Sequence, residues 1–120
     1  MNGKWWPDMI ISLSPIWRNF FENVITIQFT HRWSAVLTLI AIIGLWSFRF
    51  RLEGFHVKLV LDLLLISILL QFCLGILTLL TRVEISIALV HQSGFVLVLS
   101  LLILLLRITS DRFFIIEARR

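Results

Sequence analysis

Long runs of residues without a charged side chain dominate this sequence of 120 residues. One run covers the 22 residues 85–106, and another covers the 19 residues 63–81. At about 1.5 Å per helical residue, each run can cross the roughly 30 Å hydrocarbon layer of a bilayer. Apolar residues make up 59% of the chain and charged residues 15%, against about 45–50% and 25% in soluble domains. Because open strands cannot satisfy their backbone groups in lipid, the sequence predicts an all-α integral membrane protein.

A third membrane span precedes these two, although its uncharged run is shorter. Residues 33–48 carry no charge, and residues 24–30 before them are apolar enough to extend a helix backwards. This span would begin near Asn23 and would include His31 and Arg32. The expected organisation is an interfacial arm over residues 1–22, with its tryptophans at the headgroup level, followed by three transmembrane helices at about 23–49, 58–81 and 84–107.

The distribution of cations predicts the orientation of the chain. Three spans place the arm and the turn after the second span on one side, and the inner loop and C-terminal tail on the other. The first side holds four cations and the second holds seven: Lys4, Arg18, Arg32 and Arg82 against Arg49, Arg51, Lys58, Arg107, Arg112, Arg119 and Arg120. The positive-inside rule then places the C-terminus in the cytoplasm of a bacterial cell or in the mitochondrial matrix. Because the basic residues are scattered singly, no nucleic-acid partner is expected.

Polar residues within the spans call for a structural or a functional explanation. On the second helix, small and polar residues recur along one face, which favours close packing of helices over contact with a cofactor: Ser67, Gln71, Gly75 and Thr78. Gly94 on the third helix favours packing too, with a flat ring against it as the alternative. Lys58 and Asp62, and likewise Arg107 and Asp111, lie four residues apart near the inner ends of helices and are expected to pair or to reach headgroups.

Two of the three histidines fall within membrane spans. The first and third helices run parallel, and the spacing places His31 and His91 roughly 10–12 Å below the same surface. Each alone is typical of an interhelical hydrogen bond, but together they can face one another across a bundle. Two histidines without a nearby cysteine or carboxylate make an incomplete zinc or copper site. A heme needs only two axial ligands, so bis-histidine heme ligation is the preferred hypothesis.

The remaining histidine and two arginines have simpler interpretations. His56 lies in the inner loop between cationic residues and is expected to be solvated. Arg32, beside His31, and Arg82, in the outer turn, could pair with the two propionates of a heme. Ordinary interfacial arginines explain them equally well. The single cysteine, Cys73, excludes an intramolecular disulfide.

Four segments carry a family resemblance. They are WRNFFEN at residues 17–23, QFTHR at 28–32, QFCLGILTLL at 71–80 and ALVHQ at 88–92. In this order and spacing, they resemble the C-terminal half of heme A synthase, in the form found in mitochondria and alphaproteobacteria. The similarity extends over nearly the whole chain. Glu84 departs from the pattern, since the family generally has proline at this position of the outer turn.

The resemblance implies a fold, a reaction and a cofactor. The family has eight transmembrane helices in two four-helix halves and converts heme O to heme A by oxidising a porphyrin methyl group to formyl. Its C-terminal half holds a heme b between two axial histidines, which His31 and His91 match. The three helices here would form part of that four-helix heme-binding bundle.

The resemblance also implies partners. The first five helices of the family have no counterpart in residues 1–120, so the chain is expected to be a fragment, one half of a split enzyme or a remnant, and to be inactive alone. The expected partners are the lipid bilayer, the missing N-terminal half or other helices of the same enzyme, and a heme O synthase that supplies heme O.

Two other classes of function compete with this one. The chain could be a stand-alone bis-histidine b-type cytochrome subunit that only transfers electrons. It could also be a small assembly or structural membrane protein without a cofactor, in which both histidines join helices. This last class predicts no Soret absorbance in the purified protein.

Overall fold

The computed structural model describes residues 6–117, with side chains as far as Asp111. Its helices, in chain order, are a 3-10 helix at Ile16–Arg18, α1 at Asn19–Glu22, α2 at Val24–Ser47, a 3-10 helix at Phe48–Arg51, α3 at Phe55–Leu80 and α4 at Ile85–Glu117. Contacts divide the chain into two units, the first ending at Thr38 and the second beginning at Leu39.

Within the described residues, three helical segments are long and apolar enough to cross a membrane. They are Val24–Arg51, Phe55–Leu80 and Ile85–Asp111. The prediction of an all-helical membrane protein with three spans is confirmed. The bounds differ from the predicted ones, since α3 begins at Phe55 rather than near residue 58 and α4 continues to Glu117 rather than ending near residue 107. Arg107 and Asp111 therefore lie on α4 itself.

The arm of the first unit is organised by two buried asparagines. The Asn19 side chain accepts hydrogen bonds from the backbone amides of Ser12, at 2.9 Å, and Leu13, at 3.0 Å. It donates to the carbonyls of Leu13, at 2.8 Å, and Ile16, at 2.9 Å. Asn23 donates to the Asn19 side chain at 3.1 Å. A polar cluster thus folds residues 9–18 back onto the start of the membrane helix.

The second unit is built around the antiparallel pair α3 and α4, which pack against each other. Its buried core consists of aliphatic side chains: Ile42, Val57, Val60, Leu61, Leu64, Val98 and Leu105. Leu64 is fully buried, whereas most large apolar residues on the other faces of these helices are exposed. Exposed apolar faces are what a lipid environment requires of a membrane helix.

The turn between α3 and α4 has a defined hydrogen-bonding pattern. The amide of Val83 donates to the Thr78 carbonyl at 2.8 Å, and that of Arg82 donates to the Leu79 carbonyl at 3.3 Å. This is a Schellman motif, with Arg82 in the left-handed region at φ 56° where glycine is usual.

Glu84 caps the helix that follows. Its carboxylate accepts a hydrogen bond from the Ile87 amide at 3.0 Å, in the N-cap position of α4. The amides of Ile87 and Ser86 hold the pKa of the Glu84 carboxyl below its usual range. Glu84, where the sequence departs from the resemblance described above, is therefore a capping carboxylate.

Asp62 is paired differently from the sequence-based expectation. Its carboxylate lies 2.6 Å from Nε of Arg49 and accepts hydrogen bonds from Nη2 of Arg49, at 2.7 Å, and from the indole Nε1 of Trp46, at 2.9 Å. Of the two alternatives for Lys58 and Asp62, pairing with each other or reaching headgroups, the first does not describe Asp62, whose partners are Arg49 and Trp46. These contacts fasten the segment before α3 to the first turns of α3.

Replacing Asp62 tests this assignment. We expect Asp62→Ala to lower the temperature of thermal unfolding in detergent by several degrees, because Arg49 and the Trp46 indole lose their shared acceptor. Lys58→Ala, four residues away on the same helix, is the matched control and should change it little. Equal destabilisation by the two variants would contradict the pairing.

Candidate functional site

His91 lies on the face of α4 that packs against α3. It is half-buried, on the second turn of α4. A Cβ added to Gly75 of α3 would lie 3.2 Å from Cε1 of His91, 3.5 Å from Nε2 and 3.9 Å from Nδ1. The imidazole therefore occupies the space that a side chain at position 75 would fill.

A second contact of the same kind lies one turn away. A Cβ added to Gly94 of α4 would lie 2.1 Å from Nε2 of the Gln71 side chain and 3.0 Å from its Cδ. Gln71 and Gly75 are four residues apart on α3, and His91 and Gly94 are three apart on α4, so both contacts lie in one interface. Each helix thus places a polar side chain against a glycine of the other helix. We call this four-residue arrangement the glycine seam.

The polar face of α3 predicted from sequence is largely a packing face. Ser67 and Gln71 are buried, and Gly75 receives the His91 ring. The Thr78 hydroxyl donates to the Leu74 carbonyl of its own helix at 2.8 Å. The burial of Ser67 and Gln71 and the position of the His91 ring beside Gly75 agree with the packing interpretation. At Gly94, the Gln71 amide occupies the space that a side chain would fill.

Gln71 is unusual among the buried side chains of the second unit. It is 8% exposed, and neither its amide nitrogen nor its amide oxygen has a hydrogen-bond partner among the described residues. An unsatisfied buried amide costs free energy, so such a group calls for an explanation. Sequence reasoning identified Gln71 through its place on the polar face but gave no sign that its amide would be unsatisfied.

His31 lies in the first unit, on α2, and is exposed. The helix turn before it is internally hydrogen-bonded, since the Thr30 hydroxyl donates to the Thr26 carbonyl at 2.9 Å. Arg32, which follows His31, is half-buried. The pairing of His31 with His91, and the use of Arg32 and Arg82 as partners of propionates, stay predictions.

His56 lies at the other end of α3 from the glycine seam. It is exposed in the first helical turn, with its ring 5.7 Å from that of Phe55 in an edge-on arrangement. It borders a shallow groove of about 540 Å³ between α3 and α4, with Asp111 and aliphatic residues as further lining. The expectation that His56 is exposed to solvent agrees with this position.

The donor atoms of the described residues do not form a conventional metal site. Among them, no group of three or more histidine, cysteine, aspartate or glutamate side chains is arranged to hold a metal ion. Cys73 is exposed on α3. Residues 1–5 and the side chains beyond Asp111 lie outside the described part of the chain. Four of the cations counted for the orientation of the chain are among them: Lys4, Arg112, Arg119 and Arg120.

Comparison with known proteins identifies the family. The family model described as "COX15-CtaA: Cytochrome oxidase assembly protein" matches residues 1–103. The chain belongs to this family. The match includes both intramembrane histidines and the whole glycine seam, so the family assignment and the site concern the same residues.

Curated proteins similar to the chain carry the name heme A synthase. "Heme A synthase COX15" of Arabidopsis thaliana is 40% identical over 107 residues, covering 88% of this chain and 23% of that protein. "Heme A synthase" of Bartonella bacilliformis is 37% identical over 119 residues, covering 98% of this chain and 33% of that protein. The chain thus spans about a quarter to a third of the length of these relatives. No solved structure matches it.

Proposed function

We propose that this chain is the C-terminal, heme b-binding part of a heme A synthase, with His31 and His91 as the axial ligands of the heme. In this proposal the complete enzyme oxidises a methyl group of heme O to the formyl group of heme A. The chain contributes a cofactor site to that enzyme. Its support is the family membership together with the placement of His91 against Gly75 in the interface of two membrane helices.

The residues present fit a heme better than a bare metal ion. A metal ion would need three or more protein ligands, and the described residues offer no such group. A heme brings four nitrogen ligands of its own and needs only two imidazoles. The glycine at position 75 leaves room for an imidazole at the helix interface, where a Cβ would lie 3.2 Å from the ring and require it to shift by a few tenths of an ångström.

The residues of the chain would divide the work of binding. His91 and His31 would each present the lone pair of one imidazole nitrogen to the iron. The apolar faces of α3 and α4 would exclude water from the macrocycle. Arg32 and Arg82 would pair with the propionates at the aqueous edge. When bound, the heme supplies a one-electron redox centre.

The proposal includes a membrane location and partners. The chain would lie in a bacterial inner membrane or the mitochondrial inner membrane, with its C-terminus on the cytoplasmic or matrix side. The other helices of the enzyme would cover the exposed apolar faces and carry the substrate heme. A heme O synthase would supply that substrate.

The decisive experiment is to purify the chain from membranes of heme-replete cells and to identify its bound heme. We expect about one heme b per chain, identified as its pyridine hemochrome, with the spectrum of a six-coordinate low-spin iron, because two imidazoles are a strong axial ligand set. We also expect no conversion of heme O to heme A by the chain alone. Heme-free protein or a high-spin spectrum would overturn the proposed site, and heme A formation would overturn the assignment as a cofactor-binding part.

A further inference from the structure

The glycine seam pairs the proposed axial ligand with one particular residue of the neighbouring helix. The three ring atoms of His91 nearest to Gly75 lie 3.2 to 3.9 Å from where a Cβ at position 75 would be. A distance of 3.2 Å is tighter than ordinary van der Waals contact, so alanine at this position would displace the ring. The backbone of α3 at Gly75 is thus one wall of the space that holds the imidazole.

We propose that Gly75 is a positioning residue for His91. Because Gly75 has no side chain, the imidazole can lie against α3 at this position, and this contact fixes the orientation of the ring toward the iron. This inference rests on the proposed function, since it assigns Gly75 a role toward an axial ligand. A histidine on a helix keeps two side-chain torsions, and contacts around it decide which ring plane it presents. Here the helix opposite has a glycine, and the ring lies against the place that a side chain at position 75 would fill.

The second half of the seam supports a role beyond packing. Gln71 places its amide where a side chain at position 94 would be, one turn from His91. Both polar atoms of this amide are buried without a hydrogen-bond partner among the described residues. An apolar side chain of similar size would avoid that penalty, so the seam is not arranged for stability alone. Buried polar groups retained at such a cost are typical of functional sites.

The test compares two glycine-to-alanine substitutions in helices. Gly75→Ala inserts a methyl group against His91. Gly44→Ala is the matched control, because a Cβ at Gly44 meets no atom within 4 Å. The measurements are the heme content of the purified chain and the g values of its ferric low-spin iron, which respond to the orientation of the axial imidazole planes.

We expect Gly75→Ala to shift the largest g value and to weaken heme binding by about tenfold or more, the scale of effects from residues that orient a metal ligand. Gly44→Ala should match the unsubstituted chain in both measurements. Unchanged g values and unchanged heme affinity in Gly75→Ala would overturn the positioning role. Heme-free unsubstituted protein would instead overturn the proposed function, so the two failures are distinguishable.

A double-mutant cycle covers the outcome in which Gly75→Ala folds poorly. Thermal unfolding of the heme-free chain is compared for Gly75→Ala, His91→Ala and the double variant. We expect Gly75→Ala to destabilise the chain when His91 is present and to have little effect when position 91 is alanine, because the added methyl then meets no ring. Equal destabilisation in both backgrounds would show that the added methyl group does not act through the His91 ring, and it would overturn the positioning role of Gly75.

Discussion

His91→Ala is expected to abolish stable low-spin heme binding. Removing one of two axial imidazoles leaves a five-coordinate iron, and a loss of affinity of at least about 100-fold is expected, since even residues behind a ligand change metal affinity by about 10- to 100-fold. His31→Ala should have a comparable effect. The measurement is the Soret band and heme content of purified variants expressed at equal levels.

The third histidine provides the control for this experiment. His56 is exposed at the opposite end of α3 from the glycine seam, so His56→Ala should bind heme as the unsubstituted chain does. His31→Met and His91→Met add a second test, because a thioether keeps the iron six-coordinate and raises its reduction potential. An unaltered Soret band in both alanine variants would contradict ligation by His31 and His91.

Asn19→Ala is expected to unfold the arm while leaving the membrane helices in place. Asn19 is fully buried, and its side chain makes five hydrogen bonds, four of them to the backbone of residues 12–16 and one to Asn23. At roughly 1 kcal/mol for each hydrogen bond, and more for groups left buried and unsatisfied, the loss should be about 3 kcal/mol or more. That corresponds to about a 100-fold increase in local opening.

Hydrogen exchange measures this opening directly. The amides of Ser12 and Leu13 donate to the Asn19 side chain, so their protection should fall in Asn19→Ala, while amides in the middle of α3 should keep theirs. Glu22→Gln is the control on the same short helix, because the exposed Arg18–Glu22 ion pair contributes little. Retained protection at Ser12 and Leu13 would show that the arm is held by other contacts.

Run length and helical periodicity accounted for most of the membrane architecture. Uncharged runs of 19 and 22 residues allow few structures in lipid, so α3 and α4 could be predicted from the length of these runs. The spacing of Gln71 and Gly75 likewise fixed one face of α3 as a contact face. That His91 would lie on Gly75, and Gln71 on Gly94, depends on the register of two antiparallel helices, which spacing within each helix does not determine.

Charged residues mark neither the end of α4 nor the partner of Asp62. The charge of Arg107 ends the hydrophobic run and predicts the end of the span, whereas α4 continues to Glu117, because a helix needs only backbone hydrogen bonds to continue into water. The spacing of four residues allows Lys58 and Asp62 to pair or to reach headgroups, whereas two nitrogens of a guanidinium 13 residues away lie against the Asp62 carboxylate.

The buried role of Asn19 and Asn23 was missed altogether. Two asparagines four residues apart, directly before an apolar run, are a signal for a capped helix start, and they could have indicated a folded arm. The turn at Arg82 offered no comparable signal, because Schellman motifs are usually marked by glycine and this one has none.

The length of α4 has a mechanical consequence. Its 33 residues form a rod of about 50 Å, well beyond the roughly 30 Å of hydrocarbon, and a tilt of about 20° shortens its projection by only a few ångströms. Gly94 lies near one end of this rod, about 35 Å from Glu117. A rotation of only 5° or so about that point moves the far end by about 3 Å. A small change in how Gln71 packs on Gly94 would therefore displace the end of α4 on the opposite side of the bilayer by several ångströms.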